Sequence, residues 1–452
     1  MRRDRSTLRR ALAHVEDEER LAELATRRTE NKQRAINRLP DDLLGEILLL
    51  SMTPLGKKIW SSAELKTCHH WRRVAEQFPR IWSRLFVTEE ISTECVDLWV
   101  ERSAAAALHV DFAAPPTDND YTFRPLWRKI MQHSHRVQSL SLVLRGTWWI
   151  DCILPITYRV DNLRELKISL DRGISSRTLD LFEPLITPQL RQLIIKSPQS
   201  GALMSIFMPP LLQNSFVMPS RAASGLVTLA IQDQAPPDAV CEFLRECQKI
   251  QKLLWDLQSY RVDTWTPAPT SIPTLCHLWV AGDLAVRFLR IANLPALRRL
   301  VVSNTCNQAD VCKAILEFKT ITRLRLDFHE PQAQDVRSIY ESLHHLEYLS
   351  YKWREDTFKA ILVLTEWEEG NTSRIWLCPQ IKQLHLAIGE AVTSRKLWPN
   401  TVRSCLEKVM RVRARSVEAP LTVILDDSEA TKQFTDLGVQ RVPLTSFPTA
   451  WV

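Results

Sequence analysis

Three groups of residues in this 452-residue chain have types and spacings that invite a chemical reading. Cys241 and Cys247 lie six apart, as do Cys306 and Cys312. Zinc-holding thiolates are usually closer, with about two to four residues between ligands, and need a second pair. Cys241 and Cys247 also fall in an expected helix with Cys247 on its apolar face, so core packing is expected of them. His133 with His135, and His344 with His345, stand near enough to share a ligand. Neither pair has a Cys or Asp at metal spacing, and solvated or capping imidazoles are expected. Arg403, Lys408, Arg411, Arg413 and Arg415 form the densest basic stretch, which reads either as an attractor for an acidic partner or as a solvated face. No Gly-x-Ser-x-Gly elbow, Walker-type loop or His-Glu-x-x-His helix occurs. Only 10 glycines are present, which weighs against phosphate-cradling loops. The expectation is a chain with no catalytic residue, no metal and no cofactor.

The pattern points to association. In residues 36–88, Pro40 stands where a first helical residue should be, because its missing N–H costs nothing there. Asp41 and Asp42 suit the positive end of the helix dipole. Leu43, Leu44, Ile47 and Leu48 then make a stripe wide enough to face two ways, toward a small core and toward a partner. Pro54 and Gly56 break the run. A second helix is expected over residues 63–76, carrying Leu65, Cys68, Trp71 and Ala75, and a third helical turn over Ile81–Leu85 after Pro79. So small a unit buries little of its surface. It reads either as a docking module or as a three-helix subdomain whose apolar residues are all internal.

The combination Leu39-Pro40, Leu43, Ile47-Leu48, Cys68, Trp71-Arg72, Ala75, Pro79, Trp82 and Leu85 resembles the F-box, and in particular fungal F-box proteins that continue into leucine-rich repeats. The resemblance implies that Leu39 and Pro40 are the main contacts with a Skp-family adaptor. It implies that Leu43, Leu44, Ile47 and Leu48 lie on the helix that packs against that adaptor, with Trp71 belonging to the same surface.

From about residue 130 the unit apolar-x-x-Leu-x-apolar recurs ten times. It runs from Val137/Leu140/Leu142 through Leu163/Leu166/Ile168, Ile250/Leu253/Trp255 and Leu297/Leu300/Val302 to Ile381/Leu384/Leu386. Seven of the nine steps between central residues span 22–27 residues, the spacing of leucine-rich repeats. The two long steps contain Pro209-Pro210 and Glu368-Glu369-Gly370, which read as insertions. Between strands, Val240, Phe243, Leu244 and Cys247 have helical spacing, as do Val336, Ile339, Tyr340 and Leu343, and more loosely Val311, Ile315 and Phe318. Asp238, Asp335 and Asp310 precede them as caps or first-turn acids. A strand and a helix per cycle bury their apolar faces only by stacking. The usual Asn after each strand is out of register, with Thr305 and His329 at two such positions, so an irregular superhelix is expected. Thr422–Leu425 reads as a last strand, after a basic helix over Arg403–Arg415.

The expected fold class is α+α/β, an N-terminal helix and three-helix F-box followed by an irregular leucine-rich-repeat solenoid. The boundaries are 1–35 for an amphipathic helix, 36–88 for the F-box, 89–129 for a linker and lead-in, 130–427 for the solenoid and 428–452 for a cap or tail. The first helix reads either as a coiled-coil arm or as an exposed amphipathic helix. A net charge of +7 among 52 acidic residues, without basic blocks, argues against nucleic acid. No apolar run reaches membrane-spanning length, and the basic N-terminus lacks the apolar core of a secretory signal. Ten scattered cysteines read as reduced thiols, which places the protein in the cytoplasm, the nucleus or both. An F-box with repeats implies a substrate receptor of a Skp–cullin–F-box ubiquitin ligase, with an unknown protein substrate held by the repeats. The alternative is a leucine-rich-repeat scaffold without ligase coupling.

Overall fold

The computed structural model describes residues 2–51, 68–88, 91–113, 123–144, 159–170, 187, 189–196, 224–232, 237–256, 265, 268–303, 308–328, 332–353, 361, 363–364, 378, 380–388, 398–416, 421–425 and 440–441. They belong to two units. The first comprises Met1–Val143, Asp151–Ile153 and Tyr158–Asn162; the second comprises Leu144–Ile150, Leu154–Thr157 and Leu163–Val452.

In the first unit, α1 (Arg2–Gln33) is charge-rich, and its Leu12, Val15, Leu21 and Leu24 are exposed. A 3₁₀ turn (Ala35–Arg38) and extended Leu39 lead into α2 (Asp41–Ser51). Helix α2 starts one residue later than expected. Pro40 stays outside it, and its carbonyl accepts the Leu44 N–H at 3.0 Å. Asp41 and Asp42 occupy the first turn. Two short helices follow, α3 (His69–Gln77) and α4 (Pro79–Trp82). Leu44, Leu48, Val74, Ala75, Ile81 and Trp82 are buried. Gly45 is required on α2 because a Cβ there would stand 2.5 Å from the Phe78 ring.

The expected third helical turn is only half right. Pro79–Trp82 is helical, but Arg84–Val87 is a strand, β1, in which Leu85 and Val87 are buried and Arg84 is exposed. Leu85 therefore follows a period of two and not a helical one. The alternation of strands and helices thus begins at Arg84, before the expected start near 130. It continues through α5 (Thr93–Arg102), β2 (Leu108–Ala113), α6 (Phe123–Met131) and β3 (Val137–Leu144), with β1, β2 and β3 parallel and adjacent.

In the second unit eleven described strands lie parallel. They run β4 (Glu165–Leu170), β5 (Gln192–Lys196), β6 (Thr228–Gln232), β7 (Lys252–Asp256), β9 (His277–Ala281), β11 (Arg299–Ser303), β12 (Arg323–Asp327), β13 (Tyr348–Trp353), β14 (Gln383–Ile388), β15 (Thr422–Leu425) and β16 (Gln440–Arg441). The short strands β8 (Thr270–Ser271) and β10 (Ala292–Asn293) pair with each other. Register follows the repeat: Leu166, Leu193, Leu229, Leu253, Leu278, Leu300, Leu324, Leu349, Leu384 and Val423 lie successively opposite one another, all buried. From β4 to β14, at each step two consecutive amides, such as those of Thr322 and Arg323, donate to one carbonyl of the preceding unit, here that of Arg298 at 2.8 and 2.9 Å. These paired bonds satisfy the backbone entering each strand. Ile194, Ala230 and Leu254, one residue after the central Leu, are buried on the opposite face, with Trp279 packed against them.

Helices α7 (Pro237–Glu246), α9 (Gln308–Ile315) and α10 (Ala333–Ser342) stand where spacing places them, with Asp238, Asp310 and Asp335 in their first turns. Helix α8 (Leu284–Ile291) was not anticipated. Its buried Leu284, Ala285, Val286, Phe288 and Leu289 are nearly contiguous and show no clean period. In α11 (Trp398–Ser416) the basic stretch divides: Arg413 is buried, while Lys408 and Arg411 are exposed. The 428–452 tail contributes β16, paired with β15. Thr305, Cys306, His329, residues 63–67 and both expected insertions lie outside the described residues.

Candidate docking surface

Helix α2 divides its apolar residues between two faces. Leu44 and Leu48 point inward and are wholly buried. Leu43, Ile47 and Leu50, at i, i+4 and i+7, lie on one face and are 54%, 39% and 71% exposed. Ile36 of the 3₁₀ turn is also exposed, Pro40 is exposed and Leu39 is half-buried. Of the expected partner contacts, Leu44 and Leu48 are thus committed to this chain's own core. The open area is carried by Leu43 and Ile47, extended by Leu50 and Ile36.

Polar contacts fix the angle at which α2 presents that face. Asp41 lies 3.7 Å from His70 and 3.6 Å from Arg73, and Glu46 pairs with Arg80. The Trp71 indole N–H donates to Asn37 Oδ1 at 2.6 Å, and Asn37 Nδ2 donates to the Asn31 carbonyl at 2.6 Å. Trp71 thereby ties the turn that leads to Leu39 onto α3, while its side chain stays half-buried. The Trp82 indole N–H donates to the Ala75 carbonyl at 2.6 Å, and the Arg102 guanidinium sits 4.6 Å from the Trp82 ring.

The residues with chemical types sit elsewhere. Cys241, Cys247 and Cys312 are buried free thiols. Burial pushes Cys241 up to about 11 and Cys247 and Cys312 up to about 12, which suits packing and not thiolate ligation. No group of three or more metal-ligating side chains occurs among the described residues. His133 and His135 have ring centroids 6.3 Å apart beside a shallow recess lined by Ala104, Arg136 and Asn162. Burial, with Arg136 nearby, holds His133 below its ordinary value, so the recess does not favour protonation of His133. Arg136 is occupied: it donates to Ser103 Oγ at 2.6 Å and to the Ala106 carbonyl at 3.0 Å.

Sequence reading missed one arrangement. Ser350 Oγ and His385 Nδ1 are 2.9 Å apart at opposed positions of β13 and β14, the geometry of a nucleophile and its base. Both side chains are buried, and burial drops His385 to about 3, which makes it a poor proton acceptor. The arrangement is that of a buried polar pair. It was findable by aligning repeats on the central Leu, since each residue follows one, Leu349 and Leu384. Among the described residues no helix is long and apolar enough to cross a membrane.

No family model matches this chain, and no curated protein does. Among solved structures it matches the yeast Rad7 and Elc1 complex with a TM-score of 0.34 and 12% identity, over 95% of this chain and 98% of that one. A match at that level assigns neither partner nor activity.

Proposed function

We propose that this chain is the substrate-recognition subunit of a Skp–cullin–F-box ubiquitin ligase, acting in the cytoplasm, the nucleus or both. The observation that carries the reading is the open face of Leu43, Ile47 and Leu50 on a helix whose other side, Leu44 and Leu48, is fully used inside. The F-box resemblance of residues 36–88 adds the partner class. In this reading the adaptor covers Leu39, Pro40, Leu43 and Ile47, with Trp71, Leu44 and Leu48 holding the helix in place. The parallel repeats hold the substrate. The chain contributes no catalytic group and raises the local concentration of a target lysine beside a ubiquitin-charged enzyme, an effective-molarity effect.

Affinity purification from cells with the proteasome inhibited tests this. Adaptor and cullin should be recovered with the chain, and Leu39→Ala with Pro40→Ala should reduce adaptor capture, since buried anchors typically cost about 2 kcal/mol or more when truncated. Recovery of partners that include neither adaptor nor cullin would instead support a repeat scaffold.

A further inference from the structure

On the strands of the second unit, the residue just before the central Leu forms a row that register brings side by side. Lys252 lies opposite His277, His277 opposite Arg299, and Arg299 opposite Arg323. These are four consecutive positions with a cationic or imidazole side chain and no carboxylate among them. Adjacent strands are about 4.8 Å apart, so the row spans roughly 15 Å. Arg325 shares the face of Arg323, two residues along β12. Like charges directly opposite one another destabilise a sheet. Burial first, and then the Arg323 and Arg325 charges against a smaller opposing effect of Tyr348, push Arg299 down to about 10. Burial, then Arg299, Lys252 and Arg323, holds His277 below its ordinary value. Among the acids nearby, Asp327 lies 3.1 Å from Arg325, and Glu347 lies 2.8 Å from Lys382 with Arg323 also close enough to hold its carboxyl below the usual value. Lys252 and Arg323 are exposed and His277 and Arg299 half-exposed, so the row is reachable from solvent.

We propose that the row Lys252, His277, Arg299 and Arg323 is a binding site for a carboxylate-rich segment of a protein partner. The cationic side chains of Lys252, Arg299 and Arg323 stand on separate strands with the His277 imidazole between them, and do not converge on a point as a single phosphate dianion would require. A series of single carboxylates matches that spread. Half-buried Trp279, two residues beyond His277 on the same face, flanks the row with an aromatic surface for the methylenes of such side chains. The inference names the substrate class and rests on reading the repeats as the partner-holding part.

Fluorescence anisotropy of the purified full chain with a fluorescein-labelled oligoglutamate peptide tests it. The peptide should bind, binding should weaken as salt rises, and Lys252→Glu with Arg323→Glu should weaken it at least about tenfold. Lys408→Glu on α11 should leave it unchanged. Should the reversals lower the melting temperature, Lys252→Gln with Arg323→Gln takes their place, with an expected loss of about threefold. Equal affinity in row variants and the Lys408→Glu control overturns the proposal. So does binding of a phosphoserine peptide or a single-stranded oligonucleotide where oligoglutamate does not bind. Adaptor capture by the same preparations is scored separately: its loss with peptide binding intact condemns the docking reading alone, and the reverse condemns only the acidic-segment site.

Discussion

Replacing Leu43 and Ile47 together with alanine should separate docking from folding. Leu43 is 54% and Ile47 39% exposed, whereas Leu44 and Leu48 on the same helix are wholly buried. Fully burying a Leu or Ile side chain is worth roughly 1.5–3 kcal/mol. Covering the open fraction of each therefore contributes about 1 kcal/mol, and about 2 kcal/mol for the pair. That is a loss of roughly thirtyfold in adaptor affinity for Leu43→Ala with Ile47→Ala. Leu44→Ala or Leu48→Ala should instead cost about 2–5 kcal/mol of folding stability each, because each leaves a cavity in a small core. Calorimetric titration of the purified Skp-family adaptor into each variant, beside denaturant unfolding, gives both quantities. The reasoning is refuted if the Leu43 and Ile47 pair binds within about twofold of the parent, or if it destabilises the fold as much as Leu44→Ala.

Gly45→Ala should not stabilise α2, although alanine favours a helix by about 1 kcal/mol over glycine. The new Cβ meets the Phe78 ring at 2.5 Å, and such overpacking costs about 1–3 kcal/mol, so unfolding should show a net loss or no gain. Buried His385 is held neutral with its pKa near 3, while the unfolded chain protonates near 6.5. Its contribution to stability is therefore present above about pH 6.5 and is lost as pH falls toward 3. Between pH 7 and pH 5 that amounts to up to about 2 kcal/mol, and His385→Gln should flatten this limb in denaturant titrations at the two pH values. Native alkylation at mild alkaline pH should label exposed Cys95 well before buried Cys241, Cys247, Cys312, Cys378 and Cys405, as read by peptide mass spectrometry. Early labelling of Cys241 or Cys247 would contradict the packing described.

The repeat strands were legible because each unit buries the same two residues on either side of one position, and stacking repeats that demand. Leu300, Leu324 and Leu349 could be aligned without any knowledge of three-dimensional structure. Other elements were hidden for physical reasons. Leu85 keeps helical distance from Ile81 and Trp82, yet it belongs to a four-residue strand whose alternation is too short to stand out. Helix α8 is apolar on nearly every side, so no period marks it. The charge stretch 403–415 cannot reveal that Arg413 turns inward, one residue after buried Val412. The docking stripe was legible as apolar positions, but its division into inward Leu44 and Leu48 and outward Leu43 and Ile47 depends on where α3 and α4 pack. Both arrangements on the strand faces, the basic row and the Ser350–His385 pair, join residues a full repeat or more apart. They emerge only once the repeats are aligned on their central Leu and neighbouring units are read across.

Hydrogen–deuterium exchange of the full chain, alone and saturated with the Skp-family adaptor, asks most directly whether the helical segment at the front is where a second polypeptide lands. Slower exchange on adding adaptor should fall within residues 36–51, with β4 to β15 unchanged. Protection confined to the strands, or none anywhere under saturating adaptor, would contradict it.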